Sequence, residues 1–192
     1  MKNYLKNQKI LEEGHVYSKS MEHDACGVGL IVSTEGKKSR KVVEYGINAL
    51  KAVFHRGAVD ADGKTGDGAG IHLEIPTDFF AEKIEITGHK HDGSEICVGM
   101  IFLPRNNYEA QENARTIVES ELTKSNFNIY GWRQVPVNTK VLGEKAKFTR
   151  PEITQVLFKN NDKNLTGKEL ERKLYESRRK IEKEVIKNAI EG

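Results

Sequence analysis

The sequence predicts an α+β domain. Ile71-His72-Leu73-Glu74-Ile75 alternates apolar and polar residues, the pattern of a strand with one buried face. Ile96 to Leu103 is the longest apolar run and predicts a central strand. Residues 107–124 and 168–189 instead repeat their apolar positions every three to four residues, as helices do. Strand and helix patterns come in mixed order along 192 residues, enough for one domain with a proper core.

The elements follow in order. Residues 1–25 are polar, without a period of two or 3.6, and are expected to be a leader. Gly27-Val28-Gly29-Leu30-Ile31-Val32 predicts a first strand, followed by a turn at Thr34-Glu35-Gly36-Lys37-Lys38. Ser39 then caps a helix whose apolar face is Val43, Ile47, Leu50 and Phe54. A loop with glycine at 57, 63, 66, 68 and 70 leads into the strand at 71–75, which Pro76 closes. Thr77 caps a short helix over 78–83. The helix over 107–124 places Ala110, Ala114, Ile117, Val118 and Leu122 on one face, and two strands follow at 129–135 and 153–158. In the last helix Thr166-x-x-Glu169 reads as a capping box, and Leu170, Leu174, Ile181, Val185 and Ala189 form the buried stripe.

Composition narrows the function classes. Hydrophobic residues make up 37% and charged residues 31%, as in soluble globular proteins. The net charge of +3 comes from 31 basic and 28 acidic side chains, so no basic field points to nucleic acid. The eight Lys and Arg between 168 and 187 alternate with Glu, making a salt-bridged face and not a basic patch. No apolar run approaches the roughly 18 residues of a membrane span, and Met1 to Ser20 has no signal-peptide core. A cytoplasmic location is expected, with Cys26 and Cys97 as free thiols.

Two stretches carry candidate chemistry. Met21-Glu22-His23-Asp24-Ala25-Cys26-Gly27-Val28-Gly29 sets a thiol at the mouth of a strand, where flanking glycines let substrate or backbone come close. The plainer alternative is a small core residue that begins the strand. Thirty residues on from Cys26 stands Arg56, in Phe54-His55-Arg56-Gly57 at the head of the glycine-rich loop. That loop is not a phosphate cradle: Gly63-Lys64-Thr65 lacks the earlier glycine of a P-loop, and no strand precedes it. His89 and His91 lack further ligands at metal-site spacing and are expected to be solvated loop residues, so no metal site is expected. Cys97 reads as a core residue.

These two stretches, with Val98 to Arg105, Tyr130 to Val137, Pro151 to Val156 and Glu171 to Tyr175, resemble the class II glutamine amidotransferase domain of glutamate synthases, in the family's order. The family belongs to the N-terminal-nucleophile hydrolases. The resemblance implies a four-layer αββα sandwich, of which residues 26–192 would be the amino-terminal half, and a propeptide, residues 1–25, removed between Ala25 and Cys26. It implies Cys26 as nucleophile and Arg56 as a residue that orders the nucleophile loop and the glutamine pocket, with Gly57 beside it. L-glutamine is the implied substrate, and the remaining synthase domains the implied partners. No cofactor is expected in this chain; FMN and an iron–sulfur cluster are expected in the rest of the synthase.

The chemistry requires such residues. Glutamine's amide is a poor electrophile and needs a thiolate, a proton shuttle and a stabilised oxyanion. No partnered His–Asp pair is evident, and in the resembled superfamily the base is the nucleophile's own α-amine. A free α-amine titrates at about 7.7–8 and can take the thiol proton near neutral pH, whereas an amide nitrogen cannot. Cleavage before Cys26 is thus a chemical requirement. The family's oxyanion-hole Asn-Gly pair and the aspartate that grips the substrate's α-amine fall beyond Gly192. No Asn-Gly dipeptide occurs in the chain, and losing such an oxyanion donor costs about 3 to 4 kcal/mol of transition-state stabilisation. The alternative expectation is therefore a non-catalytic, truncated or split module that needs a downstream polypeptide to complete the site. A cysteine peptidase is a more distant alternative, without a supporting histidine context. Asp60, Asp62 and Asp67 carry no expected catalytic role.

Overall fold

The computed structural model describes residues 6, 9–10, 27–53, 57–66 and 68–188. By internal contacts the chain divides into two units, Met1–Gly57 and Ala58–Gly192.

In the first unit, the strand expected at 27–32 does not form. Those residues are irregular, and Val28, Leu30 and Val32 are 95%, 84% and 66% exposed. The alternation suits one buried face, but a strand also needs a neighbour for its N–H and C=O groups. Among the described residues no strand pairs with this segment. The turn after it does form, with Gly36 N donating to Ser33 O. Helix α1 (Arg40–Ala52) starts at Ser39, whose side chain accepts from Lys41 N at 3.2 Å. Its expected apolar face is only partly covered: Val43 and Ile47 are half-buried, Leu50 is exposed, and Phe54 lies outside the described residues.

The second unit is a three-stranded antiparallel sheet with helices on both faces, in strand order β1 (Ile96–Leu103), β3 (Glu152–Asn160), β2 (Phe127–Gln134). The apolar run 96–103 is thus an edge strand of this sheet and not the central one; β3 takes the centre. Its register pairs Val98 with Leu157 and Trp132 with Val156. Because side chains alternate across a strand, each strand feeds two cores. On one face Ile96, Tyr130 and Leu157 pack against Phe80 and Ile84 of helix α2 (Thr77–Ile86). On the other, Cys97, Phe127, Val156 and Phe158 pack against Val118 and Leu122 of α3 (Tyr108–Lys124) and Leu170 of the long helix α5 (Gly167–Lys187). An irregularity between Ile129 and Gly131 shifts the register of β2 and turns Tyr130 toward α2.

Several local expectations change. The second expected strand, 71–75, is irregular, with Ile71 and Leu73 45% and 42% exposed; no strand among the described residues forms a ladder with it. Helix α2 begins at Thr77 itself, and Pro76 stands at its N-cap without a side-chain bond. Asn107 caps α3 by accepting from Ala110 N at 3.0 Å. At α5, Thr166 makes no side-chain cap bond; Gly167, at φ 56°, brings the chain into the helix, and the capping box does not form. Leu170 is buried and Leu174 and Ile181 partly so, while Ala189 lies outside the described residues. A short helix α4 (Glu144–Thr149), which no sequence pattern announces, follows a 3-10 turn at Thr139–Val141. Among the described residues no helix is long and apolar enough to cross a membrane.

Cys97 is the core residue its sequence context suggests, 4% exposed. Burial, with Glu95 and Glu171 nearby, pushes its thiol up to about 12. In the native protein at pH 8 it is therefore expected to resist iodoacetamide, and denaturation is expected to release one more reactive thiol; peptide mapping of the alkylated protein checks this. A native Cys97 labelled as fast as a free thiol would contradict the burial described.

Candidate functional site

Ala25, Cys26 and Arg56 lie outside the described residues, so the structure places neither the expected nucleophile nor the expected pocket arginine. Gly57 is described and exposed. The described structure nearest in sequence to Arg56 is the glycine-rich loop of the second unit, and it is closely built.

An isolated antiparallel bridge, Val59 to Gly66, closes the neck of this loop. Inside it Asp60 N donates to Thr65 O at 2.6 Å and Gly63 N to Asp60 O at 2.9 Å, with Gly63 at φ 67°. Asp62 is the hub: its carboxylate accepts from Lys64 N at 2.9 Å, Thr65 N at 2.7 Å and Thr65 Oγ1 at 2.6 Å. The Thr65 hydroxyl and amide, then the Lys64 and Glu144 amides, hold the Asp62 carboxyl down at about 2. Asp62 thereby serves the amino end of α4 from more than eighty residues away in sequence. Lys145 of the same helix pairs with Asp60.

Gly143 explains why the fit is close. A Cβ there would overlap Thr65 Oγ1 and Asp62 Oδ2 and stand 2.6 Å from Thr65 N, so only glycine lets the loop sit on this backbone. At the neck, a Cβ on Gly66 would come within 2.7 Å of Ala58 O. The arrangement also argues against a phosphate cradle on physical grounds. The Lys64 and Thr65 amides that would face a phosphate already donate to Asp62. Asp60 and Asp62 thus have an architectural part that sequence reading missed, because their partners are distant in the chain; Asp67 lies outside the described residues.

Other polar groups sort themselves locally. His89 is exposed but His91 is half-buried, and both rings stand edge-on to Tyr130, at 6.1 and 6.5 Å. His91 Nε2 lies 2.8 Å from Ser94 O. The Lys159 ammonium and the Ser94 hydroxyl beside Asp92 hold its carboxyl well below the usual range. Among the described residues no group of three His, Cys, Asp or Glu could hold a metal ion. A cleft of about 390 Å³ between α3 and β2 is lined by groups that pair with one another, Trp132 Nε1 with Glu119 at 2.6 Å and Arg115 with Glu112.

Comparison with known proteins places the chain. A model of the family described as glutamine amidotransferases class-II matches residues 26–192, beginning at the candidate nucleophile. The chain is 52% identical over 179 residues to the glutamate synthase [NADPH] large chain of Azospirillum brasilense, covering 93% of this chain and 12% of that one. It is 39% identical to ferredoxin-dependent glutamate synthase 2 of Synechocystis, covering 87% and 11% of the two chains. With ferredoxin-dependent glutamate synthase 1 of Arabidopsis thaliana it shares 38% identity, over 85% of this chain and 10% of the relative. The chain spans about an eighth of the length of these relatives or less. The antiparallel sheet with helices on both faces fits the α+β content expected, and a match over residues 26–192 decides the family: the chain belongs to the class II glutamine amidotransferases.

Proposed function

We propose that this chain carries the nucleophile of a glutaminase that supplies ammonia within a glutamate synthase. The observation that carries the reading is the family match that starts at Cys26, together with likeness to glutamate synthases over most of the chain. After cleavage between Ala25 and Cys26, the freed α-amine takes the thiol proton. The thiolate attacks the side-chain carbonyl carbon of L-glutamine, and the carbonyl π electrons move to oxygen. As the tetrahedral adduct collapses, the C–N bond breaks and the α-ammonium returns its proton to the departing nitrogen, which leaves as ammonia. Water then attacks the thioester, giving glutamate and restoring the thiol.

Arg56 orders the nucleophile loop and the glutamine pocket in this reading, with Gly57 beside it. The exposed alternating residues at 27–32 and 71–75 support strands of a second sheet in a four-layer αββα sandwich, paired by parts of the domain outside residues 26–192. The sheet face that packs on α2 also leaves Met100 and Phe102 48% and 58% exposed, as a face awaiting a second layer would. The remaining synthase domains are the proposed partners, with flavin and iron–sulfur chemistry there, and a cytoplasmic setting. The segment 27–32, which pairs with no strand among the described residues, also favours a second reading, a split module that is inactive until completed.

The test is glutamine hydrolysis by the whole gene product and by the 192-residue chain. Equimolar ammonia and glutamate from the whole product are expected. Their absence would overturn the reading, and activity in the chain alone would exclude the split-module alternative.

A further inference from the structure

We propose that the bare end of the sheet around Arg133 is the docking surface for an apolar segment of the remaining synthase domains whose carboxylate pairs with the Arg133 guanidinium. This rests on the glutamate synthase reading above and goes beyond it by naming the surface, the residue that anchors it and the chemistry of its partner.

The end of the sheet is uncovered on one face only. Residues paired across strands share a face, so the register sets Met100, Gln155 and Arg133 in one row and Phe102 and Ile153 in the next. The preceding row, with Val98 and Leu157, packs on the ten-residue helix α2. Beyond that row Met100 and Phe102 stand exposed and Ile153 is half-buried. The opposite face is closed at the same level, where Leu103 and Thr154 are 1% and 3% exposed. The exposure is therefore not fraying at the strand ends; among the described residues, two rows of one face lack a covering layer.

Arg133 gives this surface its charge. Its Nη1 donates to Gln155 Oε1 at 2.6 Å, and Gln155 Nε2 donates to Met100 Sδ at 3.1 Å, so a neutral amide ties the row together. The guanidinium carbon also lies 5.2 Å from the centre of the exposed Phe79 ring. Among the described residues no carboxylate pairs with Arg133, and Gln155 alone accepts from it. A half-buried guanidinium that is held in place but not neutralised presents a planar fork suited to a carboxylate. Apolar residues docked on Met100 and Phe102 would exclude water from that pair and strengthen it.

The charges favour the remaining synthase domains as the occupant. A second copy offering the same surface would set Arg133 against Arg133, which like charge opposes. A phosphate would call for a further free cation, but Lys83, the other cation on the Phe79 ring, is paired with Glu82 at 2.7 Å. Between residues 27 and 53 the carboxylates Glu35 and Glu44 already pair with Lys37 and Arg40. The Azospirillum relative, of which this chain spans 12%, has ample further chain to cover two rows of sheet.

The experiment places p-benzoylphenylalanine at Phe102 in the whole gene product, purified with the polypeptides that accompany it, and maps the photo-crosslinked peptides by mass spectrometry. The expected adduct is on a peptide outside residues 1–192 that holds Asp or Glu. Arg133→Glu is expected to lower its yield about fivefold or more, and reversal of that acidic residue to Arg to restore it. No adduct, an adduct confined to residues 1–192 of the same chain or of an isotope-labelled second copy, or one on a peptide without Asp or Glu would overturn the inference. Glutamine hydrolysis by the unmodified product would then leave the amidotransferase reading standing, whereas its absence would overturn both. A yield that Arg133→Glu leaves unchanged, or lowers without rescue by the reversal, would show that Arg133 is not the anchor and would also overturn the inference. Should Arg133→Glu fail to fold, Gln155→Glu neutralises Arg133 from within: a comparable fall in yield is expected, and an unchanged yield would overturn the proposal.

Discussion

Cys26→Ala in the whole gene product is expected to lower glutamine hydrolysis by on the order of 10⁴-fold or more, and to leave residues 1–25 attached. The first effect follows because no other group in the proposed mechanism can form the thioester. The second follows if the same thiol is the nucleophile of its own maturation. Glutamine turnover and the amino-terminal sequence of the purified variant check the two effects. Cys26→Ser would separate them, since a hydroxyl is a poorer nucleophile at neutral pH but retains the shape of the side chain. Retention of wild-type hydrolysis by Cys26→Ala would remove the basis of the proposed chemistry.

The second large effect concerns the sheet. Leu157 is fully buried at 0% exposure, on the central strand β3, packed with Phe80, Ile84, Ile96 and Tyr130. Leu157→Ala is expected to cost about 2–5 kcal/mol, through lost burial and the cavity left behind. Against a typical total of about 5–15 kcal/mol, that is a large fraction. The melting temperature of the 192-residue chain should fall by roughly 5–15 °C. Leu103→Ala offers a comparison on the edge strand β1, at 1% exposure. A Leu157→Ala protein with an unchanged melt would contradict the two-faced packing described.

Much of the second unit was legible because its signals are local. The apolar stripe of α3, the run 96–103 and the strand at 153–158 all carry their own periodicity, and each appears within a few residues of its expected limits. Position within the sheet was not legible. An eight-residue apolar run reads as buried on both faces, yet Met100 and Phe102 are exposed and β3 takes the centre. The strands expected at 27–32 and 71–75, which are irregular in the structure, show the complementary limit: alternation sets which side chains share a face, but pairing comes from another segment. The start of helix α4 lies against the Asp60–Thr65 loop, a neighbour no window around residue 144 contains. For the site, the residue types around Cys26 and Arg56 were legible from their motifs, while the fit of that loop on Gly143 was hidden because each half makes sense only beside the other.

The amidotransferase account is tested most directly by the intact mass of the purified whole gene product, before and after exposure to a glutamine-like diazoketone that alkylates amidotransferase thiols. Loss of residues 1–25 and a single adduct mapping to Cys26, with Cys97 unmodified, is the predicted result. An intact leader with no adduct at Cys26 would contradict it.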